Sequence, residues 1–375
     1  RVALVRLGDQ DHVLLLTLHH IVSDGWSMGV LFRELSALYR AYCAGEPSPL
    51  AALPIQYVDY AQWQRQRFQS EKWTEQVDYW RKQLDGAPRV LELPTDHPRP
   101  PIQTYAGARE SLLLSTGRSQ SLRSLGSKQN ATLSMTLLAA FSILLHRYTG
   151  ENDIVVGTPI AGRNQFEIEG LIGFFLNHLV LRIDLSDNPS FRELLRRVQE
   201  TAIGAYTHQD LPFERLLEEL LPDRDLSRTP LFQVYFNMLE LEDLSPDLPG
   251  ITVEPMTRSE PESKFDLTLY IRADKKGIRF NLVYNTTLFD RPRMAEMLKQ
   301  LECLLFQISE NPESRIERLS LVTTAAASIL PNPASQLSKD WHGAIHDRLT
   351  QQARTQPGQF AIIDPWGKWT YETLD

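Results

Sequence analysis

Four prolines fall within the eight residues Pro94-Thr95-Asp96-His97-Pro98-Arg99-Pro100-Pro101. Each pyrrolidine ring fixes φ and removes a backbone donor, so this stretch propagates neither a helix nor a central strand. It divides the chain, and a lobe boundary is expected there. Upstream, Ala3 to Leu7 and Val13 to Leu18 are apolar runs on either side of the turn signal Gly8-Asp9-Gln10-Asp11, which predicts a hairpin. Ser27 is the expected N-cap of a helix in which Val30, Leu31, Leu35, Leu38 and Tyr39 recur at helical spacing up to Cys43. Between Pro54 and Leu84, the residues Tyr57, Tyr60, Trp63, Trp73, Val77, Trp80 and Leu84 are spaced for two amphipathic helices.

Downstream of the prolines, helices and strands interleave. Strands are expected at Ala108 to Leu114, Asp153 to Thr158, Val180 to Leu185 and up to Phe236. Helices are expected over Ser119 to Asn130, Ser134 to Tyr148, Pro189-Ser190 to Tyr206, and from Pro212, proline being favoured at the first helical position. The helix from Ser134 is apolar enough to be buried on most sides, with His146 as a packing or capping residue. Residues 240 to 263 are acidic and rich in proline and serine, a loop by composition. Phe265 to Arg272 and Ile278 to Tyr284 flank the hairpin signal Lys275-Lys276-Gly277, and Asp290 to Asn311 reads as a closing amphipathic helix. The mixture predicts an α/β fold.

The stretch His19-His20-Ile21-Val22-Ser23-Asp24-Gly25-Trp26-Ser27 concentrates two imidazoles, a carboxylate and a glycine between the hairpin and the first helix. A neutral imidazole takes up a proton near physiological pH or hydrogen-bonds a developing charge. Asp24 either orients a histidine or fixes the loop through an ion pair, and Gly25 permits a positive φ or a close approach of backbone to ligand. Adjacent histidines on a strand point to opposite faces, so joint metal ligation by His19, His20 and Asp24 is awkward, and no metal is expected.

With 39 Lys and Arg against 47 Asp and Glu, the net charge is −8, and no basic stripe suits nucleic acid. Cys43 and Cys303 show neither CxxC spacing nor a disulfide framework, which favours a reducing compartment, the cytoplasm. No apolar run reaches the roughly 18 residues of a membrane-spanning helix, so no membrane partner is expected. The chain opens on Arg1 directly in a strand and ends at Asp375 just after an aromatic segment, as a fragment of something longer would.

His19, His20, Asp24 and Gly25 match the HHxxxDG signature, and the chain resembles condensation domains of nonribosomal peptide synthetases, members of the chloramphenicol acetyltransferase-like superfamily. Further segments resembling that family follow in order over nearly the whole chain. They are Asp59-Tyr60-Ala61-Gln62-Trp63-Gln64-Arg65 with the Tyr79-Trp80 pair, Ile172-Gly173-Phe174-Phe175-Leu176-Asn177-His178, His208-Gln209-Asp210-Leu211-Pro212-Phe213-Glu214, and Arg224-Asp225-Leu226-Ser227-Arg228-Thr229-Pro230-Leu231-Phe232-Gln233. Two positions depart from the pattern: His178 stands where threonine is common, and Thr229 where asparagine is commoner.

The resemblance implies two acyltransferase-like α/β lobes with a tunnel between them. Residues 1–98 would be the later part of an N-terminally truncated first lobe, 99–322 the second lobe and 323–340 a linker. Residues 341–375, with the TYxxL-like Thr370 to Leu374, look like the opening of an adenylation domain without its ATP and amino-acid sites. The implied reaction is amide formation between a donor thioester and an acceptor aminoacyl thioester. Each would arrive on a phosphopantetheine arm of an upstream or downstream carrier protein, with no cofactor bound by the domain itself.

By resemblance, His20 is the central residue, either taking the amine proton or positioning the amine and stabilising the tetrahedral intermediate. The sequence does not separate these roles. Gly25 approaches the reacting centre through its backbone, His19 supports the site, and Asp24 pairs with Arg163 of the second lobe. Trp26, Ser27, Gly173, Asn177 and His178 are expected beside tunnel and substrate. The GFFLN and HQDLPFE wording leans toward joining two L-configured residues. A non-catalytic scaffold and an ester-forming relative are the alternatives.

Overall fold

The computed structural model describes residues 1–67, 71–220, 225–238, 245–256, 261–331, 343–364 and 367–374. Arg224, parts of the 240–263 loop, and the second half of the 323–340 linker with the residues just after it lie outside the described residues. Two compact units emerge, Arg1–Thr323 and Thr324–Asp375.

In the larger unit, β1 (Val2–Arg6) and β2 (His12–Leu16) form an antiparallel hairpin, followed by a 3-10 turn at His20–Val22. Helix α1 (Gly25–Cys43) comes next, then α2 (Tyr57–Arg67) and α3 (Glu71–Leu84). After the proline-rich segment come β3 (Gly107–Leu114), α4 (Thr116–Lys128), α5 (Leu133–Thr149), β4 (Asp153–Ile160), α6 (Phe166–Glu169) and β5 (Asn177–Asp184). Then follow α7 (Phe191–Thr207), α8 (Phe213–Leu220), β6 (Val234–Asn237), β7 (Leu267–Asp274), β8 (Gly277–Asn285) and α9 (Arg291–Glu310). The smaller unit holds α10 (Thr324–Ala327), α11 (Ile345–Thr355), the antiparallel pair β9 (Phe360–Asp364) and β10 (Gly367–Thr370), and α12 (Tyr371–Leu374).

Six strands form one mixed sheet in the order β3-β8-β7-β6-β4-β5, with β6 parallel to both β4 and β7. Strand alternation gives it two unlike faces. On one, Val234, Phe236, Leu267, Leu269, Phe280 and Leu282 are almost fully buried, and Phe236 meets Phe141 of α5 at 6.2 Å between ring centres. Helix α5 sits in this core, capped by the Thr132 hydroxyl, which accepts the Met135 N–H, and ended by Gly150 at φ 76°. Each of its buried Leu, Ile and Phe side chains contributes roughly 1.5–3 kcal/mol.

The other face is the one turned away from α5. In register across it stand Val180, Gly157, Tyr235, Thr268 and Val283, with His178 beside Pro159 at one end. The proline-rich segment packs closely rather than swinging free: Leu91 and Leu93 just before it are buried, and Arg99 pairs with the 2 % exposed Asp266.

Three local expectations change. The N-cap of α1 is Asp24, three residues before Ser27, because a carboxylate oxygen reaches the Ser27 N–H at 2.8 Å. The histidine pair lies beyond the end of β2, in the 3-10 turn, so strand alternation does not govern its directions. Strand β5 also begins earlier than the apolar run suggested, at Asn177, because its pairing with β4 extends to Ile160.

Candidate functional site

The 3-10 turn fixes both imidazoles through the backbone. His19 Nδ1 accepts the Ile21 N–H at 3.1 Å, capping the turn. His20 Nδ1 lies 2.7 Å from the Ser23 carbonyl oxygen. A carbonyl only accepts, so Nδ1 carries the proton, and in the neutral ring Nε2 keeps its lone pair. The exposed His20 ring stands edge-on to Phe174, 5.1 Å between centres. His20 is thus held by two contacts and open at the atom that accepts protons.

Behind it lies a buried polar latch. Asp24 Oδ1 accepts from the Ser27 N–H at 2.8 Å and from Arg163 Nη2 at 3.2 Å, and Oδ2 accepts the Phe175 N–H at 3.0 Å. The Ser27 hydroxyl sits 2.7 Å from both Asp24 Oδ1 and the Gly173 carbonyl, and it accepts from Gly173 N–H and Arg163 Nη2. Arg163 Nη1 donates to the Ile168 and Leu171 carbonyls, and its guanidinium lies 4.1 Å over the Phe175 ring. Burial opposes ionisation of Asp24. The Phe175 and Ser27 N–H groups, the Ser27 hydroxyl and the Arg163 charge outweigh it and hold the carboxyl below its ordinary value.

Glycine makes the latch possible at two places. Gly162 adopts φ 65° immediately before Arg163, and a Cβ there would fall 2.0 Å from the Phe175 carbonyl oxygen. At Gly173 a Cβ would fall 2.3 Å from the Tyr57 ring. Trp26 braces the outside, its indole N–H donating to the Glu169 carbonyl at 2.9 Å.

Several expected site residues therefore do structural work. Ser27 is fully buried in the latch, and Gly173 is buried beneath Tyr57. Gly25 opens α1 and is not among the glycines with positive φ, so its left-handed freedom is unused. Asn177 is a clamp: its Nδ2 donates to the Gln209 and Leu211 carbonyls, and its Oδ1 accepts the Phe213 and His178 N–H groups. Asn177→Ala is expected to destabilise the domain by about 2–4 kcal/mol, since it strands several of these groups; thermal unfolding of the variant measures this. The same segment is held from α3, where Tyr79 stacks on His208 at 3.8 Å and Trp80 Nε1 donates to the His208 carbonyl.

His178 differs from these. Its Nδ1 is 2.6 Å from the Tyr235 hydroxyl, and its ring meets Phe213 and Tyr235 edge-on. Burial first, then the charges of Lys264 and His20, push its pKa down to about 4. Phe174 and Tyr235 were not singled out in the sequence, although Phe174 falls inside a family-like segment and Tyr235 in the strand expected up to Phe236. Phe174 also borders a cavity of about 410 Å³ lined by Tyr60, Trp63, Gln64 and Phe175 among others. Burial pushes the Tyr60 hydroxyl up to about 12, so it stays protonated. Among the described residues no group of three His, Cys, Asp or Glu side chains is placed to hold a metal, and no single helix is long and apolar enough to cross a membrane.

The profile of the condensation domain family matches residues 1–330. The chain belongs to the condensation domain family. The domain is 46 % identical over 380 residues to a linear gramicidin synthase of Brevibacillus parabrevis, covering all of this chain and 7 % of that protein. It is 38 % identical over 379 residues to phosphinothricin tripeptide synthetase PhsC of Streptomyces viridochromogenes, covering all of this chain and 35 % of that protein. Condensation-domain relatives of this kind are nonribosomal peptide synthetases, and the present chain spans a small part of their length. Among solved structures, the X-domain from teicoplanin biosynthesis matches with TM-score 0.78 and 33 % identity, over 85 % of this chain and 74 % of that one. A four-domain nonribosomal peptide synthetase bound to AMP and glycine matches with TM-score 0.79 and 25 % identity, over all of this chain and 29 % of that one.

Proposed function

We propose that this condensation domain forms an amide bond between a donor acyl or peptidyl thioester and the α-amine of an acceptor aminoacyl thioester, both tethered to carrier proteins. The observation that carries this reading is His20, an exposed imidazole with Nδ1 committed to the Ser23 carbonyl and Nε2 bare, set on a turn locked by the Asp24–Ser27–Arg163 latch. Nε2 takes the amine proton as nitrogen attacks the donor carbonyl, and the donor thiol leaves. Holding two tethered reactants in line supplies up to roughly 7–11 kcal/mol of the barrier reduction.

Residues 1–98 and 99–322 act as the two lobes, reactants meet in a tunnel between them, and residues 341–375 begin an adenylation domain. The cavity bordered by Phe174 suits an amide-bearing phosphopantetheine arm, with the Trp63 and Phe175 rings for its chain and the Gln64 side chain for its amides. The arm supplies the thioester; the domain itself binds no cofactor. The GFFLN and HQDLPFE segments favour the subtype that joins two L-configured residues. The test is a condensation assay on a module-length protein with aminoacylated donor and acceptor carriers, read by intact mass. A dipeptidyl acceptor carrier is expected, and its absence with both carriers loaded would overturn the reading.

A second reading is a non-catalytic scaffold. It is favoured by the likeness to the teicoplanin X-domain, which has also been solved in complex with OxyB. The same assay separates the two, because a scaffold leaves both loaded carriers unchanged.

A further inference from the structure

We propose that His178 is a hydrogen-bond donor to the donor thioester's carbonyl oxygen, set by Tyr235 so that Nε2–H faces the reacting carbon opposite His20. This rests on the amide-forming reading above and assigns the second imidazole of that site a chemical role.

The placement comes from the sheet. His178 and Val180 alternate along β5, and register carries that face through Gly157 to Tyr235, the face opposite the helix-covered core. Phe174, only four residues before His178, touches the His20 ring edge-on, and the two imidazoles are near enough that the charge of His20 acts on His178. Four extended residues reach at most about 13 Å.

The ring's orientation and tautomer are also fixed. Phe213 and Tyr235 meet it edge-on, and Tyr235 is itself stacked on Phe265 at 4.5 Å. Burial raises the Tyr235 pKa, so the phenol keeps its proton. A phenol O–H is the better donor and an imidazole nitrogen the better acceptor, so the 2.6 Å contact is O–H to Nδ1. The single proton of the neutral ring is then on Nε2. Among the described residues, the sealed side-chain polar atoms without a partner are Gln76 Oε1, Arg163 Nε and Arg228 Nη1. His178 Nε2 has no bond to a described residue and is not one of these, so it is not sealed from its surroundings.

The two imidazoles are therefore complementary: His20 presents a lone pair and His178 a proton. As the amine nitrogen bonds to the carbonyl carbon, the π pair moves onto oxygen, where the His178 Nε2–H meets it. The amine proton passes to His20 Nε2. Collapse of the oxyanion breaks the C–S bond, and the departing sulfur takes the proton back from His20.

The test contrasts two amides in the module-length protein. His178→Gln places an N–H at about the reach of imidazole Nε2, whereas His178→Asn reaches only the Nδ1 position. With carriers loaded, His178→Asn is expected to lower kcat by about 10²–10³ with little change in KM for the carriers, as loss of one oxyanion donor does, while His178→Gln stays within about tenfold of the wild type. Tyr235→Phe, which releases the tautomer, lowers kcat by less than His178→Asn. Thermal unfolding of each variant accompanies the kinetics. Equal losses in the Gln and Asn variants, or wild-type kcat in His178→Asn, would leave only a packing role and end the proposal, while amide formation by the wild type keeps the functional reading intact. If the wild type itself forms no amide, both fall together.

Discussion

His20→Ala in a module-length protein is expected to abolish amide transfer, lowering turnover by about 10²–10⁴, the range over which a positioned proton acceptor acts. The domain is expected to unfold at nearly the same temperature. The ring is exposed, and its one hydrogen bond, to the Ser23 carbonyl, is worth only about 0.5–1.5 kcal/mol. His19 provides the internal contrast: its Nδ1 already accepts the Ile21 N–H, so that nitrogen is spent on the turn. Turnover by intact mass and thermal unfolding measured on one preparation decide the matter. Undiminished transfer in a folded His20→Ala protein would remove His20 from the chemistry.

Arg163→Met is expected to cost about 3–5 kcal/mol of stability, because it leaves the Asp24 carboxylate buried without its cation. Both partners are almost sealed, with side chains 1 % and 3 % exposed, so solvent does not screen the loss. The Ile168 and Leu171 carbonyls lose their Arg163 donors as well, and α1 keeps only its direct bonds to the 168–175 segment through Asp24, Trp26 and Ser27. Turnover falls with stability, since the turn bearing His20 leads directly into α1. The pH dependence follows from the lowered Asp24 pKa. A depressed carboxylate contributes its stability fully above the unfolded value, 3.8, and loses it as pH falls through the lower folded value. The wild-type contribution is therefore constant from about pH 5 upward, declines once pH falls below the unfolded value, and is gone only below the lower folded one. In Arg163→Met the folded value rises toward the unfolded one, so chemical denaturation at pH 7 and pH 3 should show the variant's deficit shrinking in acid. A deficit that is the same at both would show that the ion pair does not carry the effect.

Much of the second half was legible because its elements are long and bounded by clear signals. The apolar run from Ser134, the Pro189-Ser190 start and the Lys275-Lys276-Gly277 turn each fix their element by local chemistry. The N-terminus of α1 was misplaced because Asp24 and Ser27 are both good capping residues three positions apart. Only the geometry shows that Asp24 accepts and Ser27 donates. A linear motif does not show that Asn177, which borders the cavity, also holds the Gln209 and Leu211 carbonyls, or that Gly173 makes room for the Tyr57 ring.

The sequence by itself determined the α/β class and the turn that carries the paired histidines, since both follow from side-chain type and spacing within a few residues. The tertiary structure alone decided what each polar group near that turn does. Asp24, Ser27 and Arg163 are separated by up to 139 residues, and their roles depend on which donors and acceptors burial brings within hydrogen-bond distance. A hydrogen bond is short and directional, whereas sequence spacing constrains only neighbours on the same element. The tautomer of His20 was settled in the same way, by one carbonyl three residues further along a turn whose shape no motif states.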